Sequence, residues 1–528
     1  MHLVKLVHSG VYIQQKLALQ SFCKLKPNAS RFFCSQNSNL KMTEPMAAPP
    51  TSAPESKKRQ LPSNGKKPKR KIYKSAAVDP ISSQGVLRKN IKDVFPDAPC
   101  NDMTEFYNRD RSIEWHLNGK VENLEIKSLS HNGLGIGFDD TRNRVILVPY
   151  TFPGDVVNAN VCRTEEYYLM AELISVVTPA SIRDNSLAFC KYFGEKEGAG
   201  CAGCQYQYTA YSNQLEIKRQ VIVNAYKYFA PELEIPTIQE TVASPLEKKY
   251  RTKLTPHFDV PKKGLASPDF PIGFGHVIKN QIVDIEECSL GTDVINTGIK
   301  QKREEIKNNY KQYKRGVTLL FREGSNESLI TDPKAIMQET VGKYVFEYKA
   351  GEFFQNNNSI LPIVTNFVAE NLKINGEPPQ YLVDTYCGCG LFAITCSSNA
   401  KEVVGVEISA QNVEFARSNA EKNNVSNAEF IVGQAERIFE RVNKEPELTS
   451  VVIDPPRKGC DKLFLDQLLQ FGPARIVYVS CNVHSQARDI DYFIKESNGK
   501  YKVESLRGFD FFPQTYHVES VAVLSRTS

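Results

Sequence analysis

No stretch of this 528-residue chain runs to eighteen apolar residues, so a membrane-spanning helix is not expected. Nor does the bulk of the chain carry an excess of positive charge. The net charge of +6 arises in residues 1–74, where 15 Lys and Arg face only Glu44 and Glu55. The remainder holds 51 basic and 58 acidic residues, so nucleic acid can be gripped there only through local basic patches. A secretory signal is missing too, which makes the 13 cysteines an intracellular thiol population rather than a disulfide framework. At this length a single core does not suffice, and two or three domains are expected.

Asp and Glu are absent from the first 43 residues, which carry scattered Lys and Arg, several Ser and repeated apolar residues. A mitochondrial transit peptide over 1–41 has that composition, and so has a plain disordered tail. Met42 offers a second start, so mitochondrial and cytoplasmic or nuclear forms are both expected. The Pro-, Ser- and Lys-rich stretch that follows predicts disorder, and residues 1–100 as a whole read as a basic extension. KKPKRK at Lys66–Lys71 has the make-up of a nuclear-localisation or RNA-contact patch, or of a solvated charge run.

Short alternating strands punctuated by glycine fill 119–178 and predict a small OB-type β-barrel. GLGIG and VPYTFPGD within them resemble the RNA-binding TRAM domain; a barrel that only packs against its neighbours is the plainer alternative. Residues 190–350 read as a mixed α+β central domain. From 351 to 528 strands alternate with helices, as in YLVDT, EVVGVE, SVVID and RIVYVS. That alternation predicts an α/β, Rossmann-like domain with a doubly wound, mainly parallel sheet.

Asp384-Thr385-Tyr386-Cys387-Gly388-Cys389-Gly390 follows a predicted strand and opens a helix. Its glycines let a backbone approach a ligand closely, and Glu407 ends the next strand where a carboxylate can hold ribose hydroxyls. The third glycine of a dinucleotide fingerprint is missing and an acidic residue precedes the turn. Both favour S-adenosylmethionine over a nicotinamide cofactor, and Asp454-Pro455-Pro456 at the end of a later strand adds to this. IVYVSCN places the Cys481 thiol at the carboxyl end of a strand, which in an open α/β sheet faces the ligand crevice. A buried inert cysteine is the alternative. Ser480 and Asn482 flank the thiol with polar groups, and Arg457 and Lys458 can stabilise a thiolate if they lie near it. Cys387 and Cys389 need only be small.

Asp-Pro-Pro-Arg, Ser-Cys-Asn and Phe-Pro-Gln-Thr-x-His-Val-Glu, in that order, resemble the RNA uracil-5-methyltransferases over about residues 119–528. The closest likeness is to the eukaryotic tRNA enzymes that form 5-methyluridine at uridine 54 of the T-loop. The resemblance implies a class I methyltransferase that uses S-adenosylmethionine and tRNA. Cys481 is then the nucleophile that adds to carbon-6 of uracil, and Glu519 is the general base that removes the carbon-5 proton. A free surface carboxylate is the alternative for Glu519. Gln355, Tyr386, Glu407 and Asp454 are implied to contact the cofactor. The target nucleotide must be flipped out of its fold, and residues around Tyr250–Lys253 are expected to help hold the RNA. A ribosomal RNA target, or an RNA-binding or folding module in which methylation is secondary, remain open alternatives. No membrane partner is expected, and the chain reads as a monomer.

Cys190, Cys201 and Cys204, with Cys288 further on, have spacing compatible with metal ligation. In the bacterial ribosomal RNA branch of the family, similarly placed cysteines hold a 4Fe–4S cluster, and the resemblance implies the same set here. The gap filled by KYFGEKEGAG is longer in this chain, and a reduced, metal-free remnant is the alternative.

Overall fold

The computed structural model describes residues 78–99, 119–433, 438–439 and 442–527. The transit-peptide segment 1–41, the alternative starts Met1 and Met42, and the Lys66–Lys71 patch lie outside them. Among the described residues no helix is long and apolar enough to cross a membrane.

Disorder was expected to reach residue 100, but helix α1 spans Ser83–Val94. Ser82 caps it, its hydroxyl accepting from Gly85 N–H at 3.1 Å. Leu87 and Ile91, one turn apart, seat the helix on Leu134, Ile136, Val145 and Leu147 of the barrel. A one-turn apolar pair among lysines is too weak a pattern to stand out from a charged tail.

The barrel is closed and five-stranded: β1 (Gly119–Leu129), β2 (Leu134–Asp139), β3 (Arg144–Pro149), β4 (Val156–Thr164) and β5 (Leu169–Thr178), paired in the order β1-β2-β3-β5-β4. Pairing is antiparallel except between β3 and β5. The FPGD turn is fixed by Asp155, whose buried carboxylate accepts from Phe152 N–H and Ala180 N–H and pairs with Arg183 at 2.7 Å.

Residues 190–350, expected as one central domain, divide between two layers. Helix α2 (Tyr211–Phe229) and strand β6 (Gln239–Val242) join the C-terminal sheet: β6 pairs in parallel with Tyr501–Phe509, and Ile222, Ala225 and Tyr226 enter that sheet's core. The hairpin Ile336–Val341/Tyr344–Lys349 packs on the sheet's other face through Met337, Phe346 and Tyr348. What remains is a small α+β unit in which helix α3 (Asp293–Asn308) buries Ile295, Ile299 and Ile306 against Phe258 and Phe321.

After helix α4 (Leu361–Glu370) the chain runs β7 (Tyr381–Thr385), α5 (Leu391–Thr395), β8 (Glu402–Glu407), α6 (Ala410–Lys422), β9 (Ala428–Val432) and β10 (Thr449–Ile453). It continues through α7 (Lys462–Phe471), β11 (Arg475–Ser480), α8 (Val483–Glu496), β12 (Tyr501–Phe509) and β13 (Glu519–Arg526). The sheet order is β9-β8-β7-β10-β11-β13-β12-β6. Val383, Val404 and Val451 fill one face, while Leu382, Val403 and Val452 fill the other. That is why these strands read as unbroken apolar runs. The order turns back between β7 and β10, and the carboxyl ends at this switch point open the ligand crevice.

Candidate active site

The crevice holds a cavity of about 860 Å³ lined by all six residues singled out for catalysis or cofactor contact: Gln355, Tyr386, Glu407, Asp454, Cys481 and Glu519. Each arrives at a strand or turn terminus. Tyr386 follows β7 with φ of 61°, a left-handed conformation uncommon for a residue with a side chain. Two residues on, Gly388 lies where an added side chain would meet open space. Its N–H instead donates to Glu407 Oε2 at 3.2 Å, and Ser409 N–H donates to Oε1 at 2.8 Å, fixing the carboxylate at the end of β8. Asp384, buried under the turn, accepts from Ala393 N–H at 2.8 Å through Oδ2 and leaves Oδ1 unpartnered. Its carboxyl is pushed well up, first by burial. Cys387 and Cys389 are buried thiols in the same turn.

Gln355 sits on a loop that a second buried charge holds. Arg322, with no exposed surface, donates to the carbonyls of Ala350, Glu352 and Phe354, and its guanidinium lies 4.7 Å over the Tyr348 ring. Nothing in the strand pattern around Arg322 marks it as a loop clamp, and sequence reasoning missed it.

Cys481 and Glu519 owe their placement to strand direction. β13 runs antiparallel to β11 with Ser480 opposite Ser520, so one further step of register sets Cys481 opposite Glu519. Cys481 also stands just before α8, whose N-terminus favours a thiolate. Asn482 caps that helix, accepting from His484 N–H at 3.2 Å. Its amide donates to the Arg457 carbonyl at 2.9 Å, which ties the Asp-Pro-Pro-Arg turn to the cysteine.

Burial raises Asp454, Glu519 and the Cys481 thiol. Asp454 is pushed up to about 7 by burial alone. Glu519 reaches about 8, from burial first and then the charge of Asp454, with Arg457 opposing. The Cys481 thiol reaches about 12 through burial, then Glu519 and Asp454, again eased by Arg457.

Glu519 is reached by a loop, Asp510–Val518, pinned from α2. Lys218 Nζ donates to Asp510 Oδ1 at 2.5 Å and to the Phe512 carbonyl at 3.0 Å, with both charged side chains fully buried. Gln214, one turn earlier, donates to Gln514 Oε1 at 3.0 Å and accepts from Gln514 N–H at 3.0 Å. The signal in the sequence is a lysine set near the apolar residues Val221 and Ile222, which a helix places with it on one buried face.

Two expectations need correction or refinement. Tyr250, expected near the RNA, is a core residue whose hydroxyl donates to the Pro513 carbonyl at 3.0 Å. Arg251 does line the cavity and lies 5.4 Å from the Phe512 ring. Cys190, Cys201, Cys204 and Cys288 together line a separate cavity of about 340 Å³. Among the described residues, however, no group of three or more potential ligands is close enough to hold a metal ion. Burial raises the thiols of Cys201, Cys204 and Cys288, with neighbouring cysteines adding to the effect.

Residues 289–527 match the family model for tRNA (uracil-5-)-methyltransferase, and residues 123–182 match that of the TRAM domain of tRNA (uracil(54)-C(5))-methyltransferase. A Saccharomyces cerevisiae protein named tRNA (uracil(54)-C(5))-methyltransferase is 41% identical over 87% of this chain and 84% of its own. One of the same name from Schizosaccharomyces pombe is 45% identical over 76% and 78%. Among solved structures, the Pyrococcus abyssi tRNA (uracil-54, C5)-methyltransferase in complex with S-adenosyl-L-homocysteine superposes with a TM-score of 0.55. It is 25% identical, covering 76% of this chain and all of that one.

Proposed function

This chain belongs to the tRNA (uracil-5-)-methyltransferase family, and from that membership we propose that it methylates carbon-5 of uridine 54 in tRNA, using S-adenosylmethionine. The observation that carries the mechanism is the β11–β13 register, which opposes a thiol and a buried carboxylate at the mouth of the cofactor crevice.

The cavity residues fit the methyl donor: an open glycine, a fixed carboxylate at the end of β8 for ribose hydroxyls, and Gln355 and Tyr386 beside them. When bound, S-adenosylmethionine supplies an electrophilic methyl group and, next to the carboxylates, a positive sulfonium. Cys481 sulfur, as thiolate, forms a bond to carbon-6 of the flipped uracil, and the carbon-5/carbon-6 electron pair becomes an enolate. Asp454 and Arg457 line the cavity with Cys481, where Asp454 orients the ring by hydrogen bonding. The enolate electron pair forms the bond from carbon-5 to the methyl group, whose bond to the donor sulfur breaks with its pair left on sulfur. Glu519 carboxylate then removes the carbon-5 proton, the double bond reforms, and the Cys481 thiolate leaves. One chain supplies every residue of this site, which supports action as a monomer.

The test is methyl transfer from labelled S-adenosylmethionine to an unmodified tRNA transcript, beside one with uridine 54 changed to cytidine and a ribosomal RNA fragment. Label only in the intact tRNA, recovered as 5-methyluridine, is the expected result. Label in the ribosomal fragment instead would replace the substrate, and no label in any would refute the reading.

We also propose that Cys190, Cys201, Cys204 and Cys288 hold a 4Fe–4S cluster. Four thiols lining one cavity are the observation that supports it. Protein purified without oxygen should be brown and contain iron and sulfide; colourless, iron-free, fully active protein would exclude it.

A further inference from the structure

Beside Cys481 lies a cavity that this chemistry leaves unused. It measures about 360 Å³ and meets the main cavity along a shared wall of Arg457, Lys458, Cys481, Tyr516 and His517. None of the cofactor-turn residues lines it. Its other walls include Asp79 before α1 and Ser83 within it, His131 between β1 and β2, Val221 of α2, and Asn482 and His484 at the start of α8. The rings of His131 and His484 meet edge to face, with centroids 5.3 Å apart.

These imidazoles differ in one respect. His131 is satisfied on both sides, with Nδ1 3.0 Å from Asn90 Oδ1 and Nε2 3.2 Å from Ser83 Oγ. His484 is only 6% exposed, and its Nε2 is buried with no hydrogen-bond partner. A buried polar atom left unpaired can take a hydrogen-bonding partner that the protein itself does not supply. Burial holds both rings neutral, so that partner is a hydrogen-bonding group and not a counter-ion. At the mouth, Arg457 and Lys458 are exposed and cationic. The stacked rings of Tyr516 and His517, 4.4 Å apart, contribute to the shared wall.

Flat ring faces, a neutral ring nitrogen and a cationic lip match the chemistry of an unstacked nucleobase and its phosphate. A uracil held against Cys481 brings its neighbour in the strand to the shared wall. We propose that this cavity receives the base of the nucleotide adjoining the target uridine, so that two unstacked bases sit on either side of Cys481. The proposal rests on the RNA uridine reading above. It also gives α1 a role as one wall of the RNA site.

The experiment uses T-arm RNA hairpins, either intact or with an abasic residue on the 5′ or the 3′ side of the target uridine. Each is assayed with the full-length protein, with Ser83→Phe, which puts a ring into the cavity from an exposed position, and with His484→Leu. The wild type should lose about 10-fold or more in kcat/KM with one of the abasic hairpins, the worth of stacking one base, mostly through KM. Both variants should lose as much on intact RNA and nothing further on that abasic RNA. Wild-type indifference to both abasic sites overturns the proposal. So do variant losses that simply multiply with the abasic loss. Binding of S-adenosylhomocysteine by calorimetry reports folding, and His484→Leu decides alone if Ser83→Phe is misfolded. Absence of 5-methyluridine in the intact hairpin with wild-type protein would instead refute the function reading.

Discussion

Replacing Lys218 by Met should unfasten the loop that delivers the carboxylate base. Lys218 and Asp510 are both fully buried, and the lysine spans from α2 to the loop through Asp510 and the Phe512 carbonyl. Without the ammonium, Asp510 Oδ1 keeps only the Phe512 N–H at 3.1 Å, and Oδ2 is already unpartnered. Stranding a buried charge in this way costs about 3–5 kcal/mol, a large part of the roughly 5–15 kcal/mol that holds a domain together. Urea unfolding of the wild type, Lys218→Met, Asp510→Asn and the double variant gives the coupling. The single lysine variant should lose about 3–5 kcal/mol, and the double should recover most of it, because no charge is left unpaired. In the folded fraction kcat should fall while S-adenosylmethionine affinity holds, since Gln355, Glu407 and Asp454 stand on other elements. A loss below about 1 kcal/mol, or a double variant no more stable than the single, would refute the pair as the loop's fastening.

Glu519→Gln should add the thiol and transfer the methyl group but stall as a covalent RNA–protein adduct on a denaturing gel; an adduct-free variant with normal turnover would remove Glu519 from the reaction. Because Glu519 sits at about 8, resolution of the methylated adduct should fall about tenfold for each pH unit below that value, and a flat profile would contradict it. The same raised carboxyl makes the folded state bind a proton that the unfolded state releases, so its penalty grows as pH rises to about 8. The Tm advantage of Glu519→Gln over the wild type should therefore widen between about pH 5 and 8 and then level off. Arg322→Leu leaves three carbonyls without their donor, those of Ala350 and Phe354 buried, and should cost at least about 2 kcal/mol. It should also raise KM for S-adenosylmethionine more than it lowers kcat, as the Gln355 loop loses its clamp.

The C-terminal sheet was legible because its strands are buried on both faces and so are apolar throughout, and because Cys481, Glu407 and Asp454 all fall at their carboxyl ends. The barrel was legible from period-two strands and glycine turns. The division of residues 190–350 was not. β6 is four residues long with two exposed, and nothing local says that it pairs with a strand near the C-terminus. Lys218 and Arg322 escaped for a related reason: a buried charge is recognised by its partner, and the partners lie 292 residues away or in backbone carbonyls. The four cysteines line one cavity, but how closely they approach depends on the loops between them, which spacing does not describe.

The edge strand β6 has a consequence for how the chain is made. Arg507 of β12 reaches the Glu240 carbonyl across 267 residues of sequence. At roughly 5–20 residues per second of synthesis, β6 and α2 leave the ribosome tens of seconds before their sheet exists. During that interval Ile222, Ala225 and Tyr226 have no core to enter. The newborn chain therefore carries a helix with an uncovered apolar face through the making of its C-terminal half.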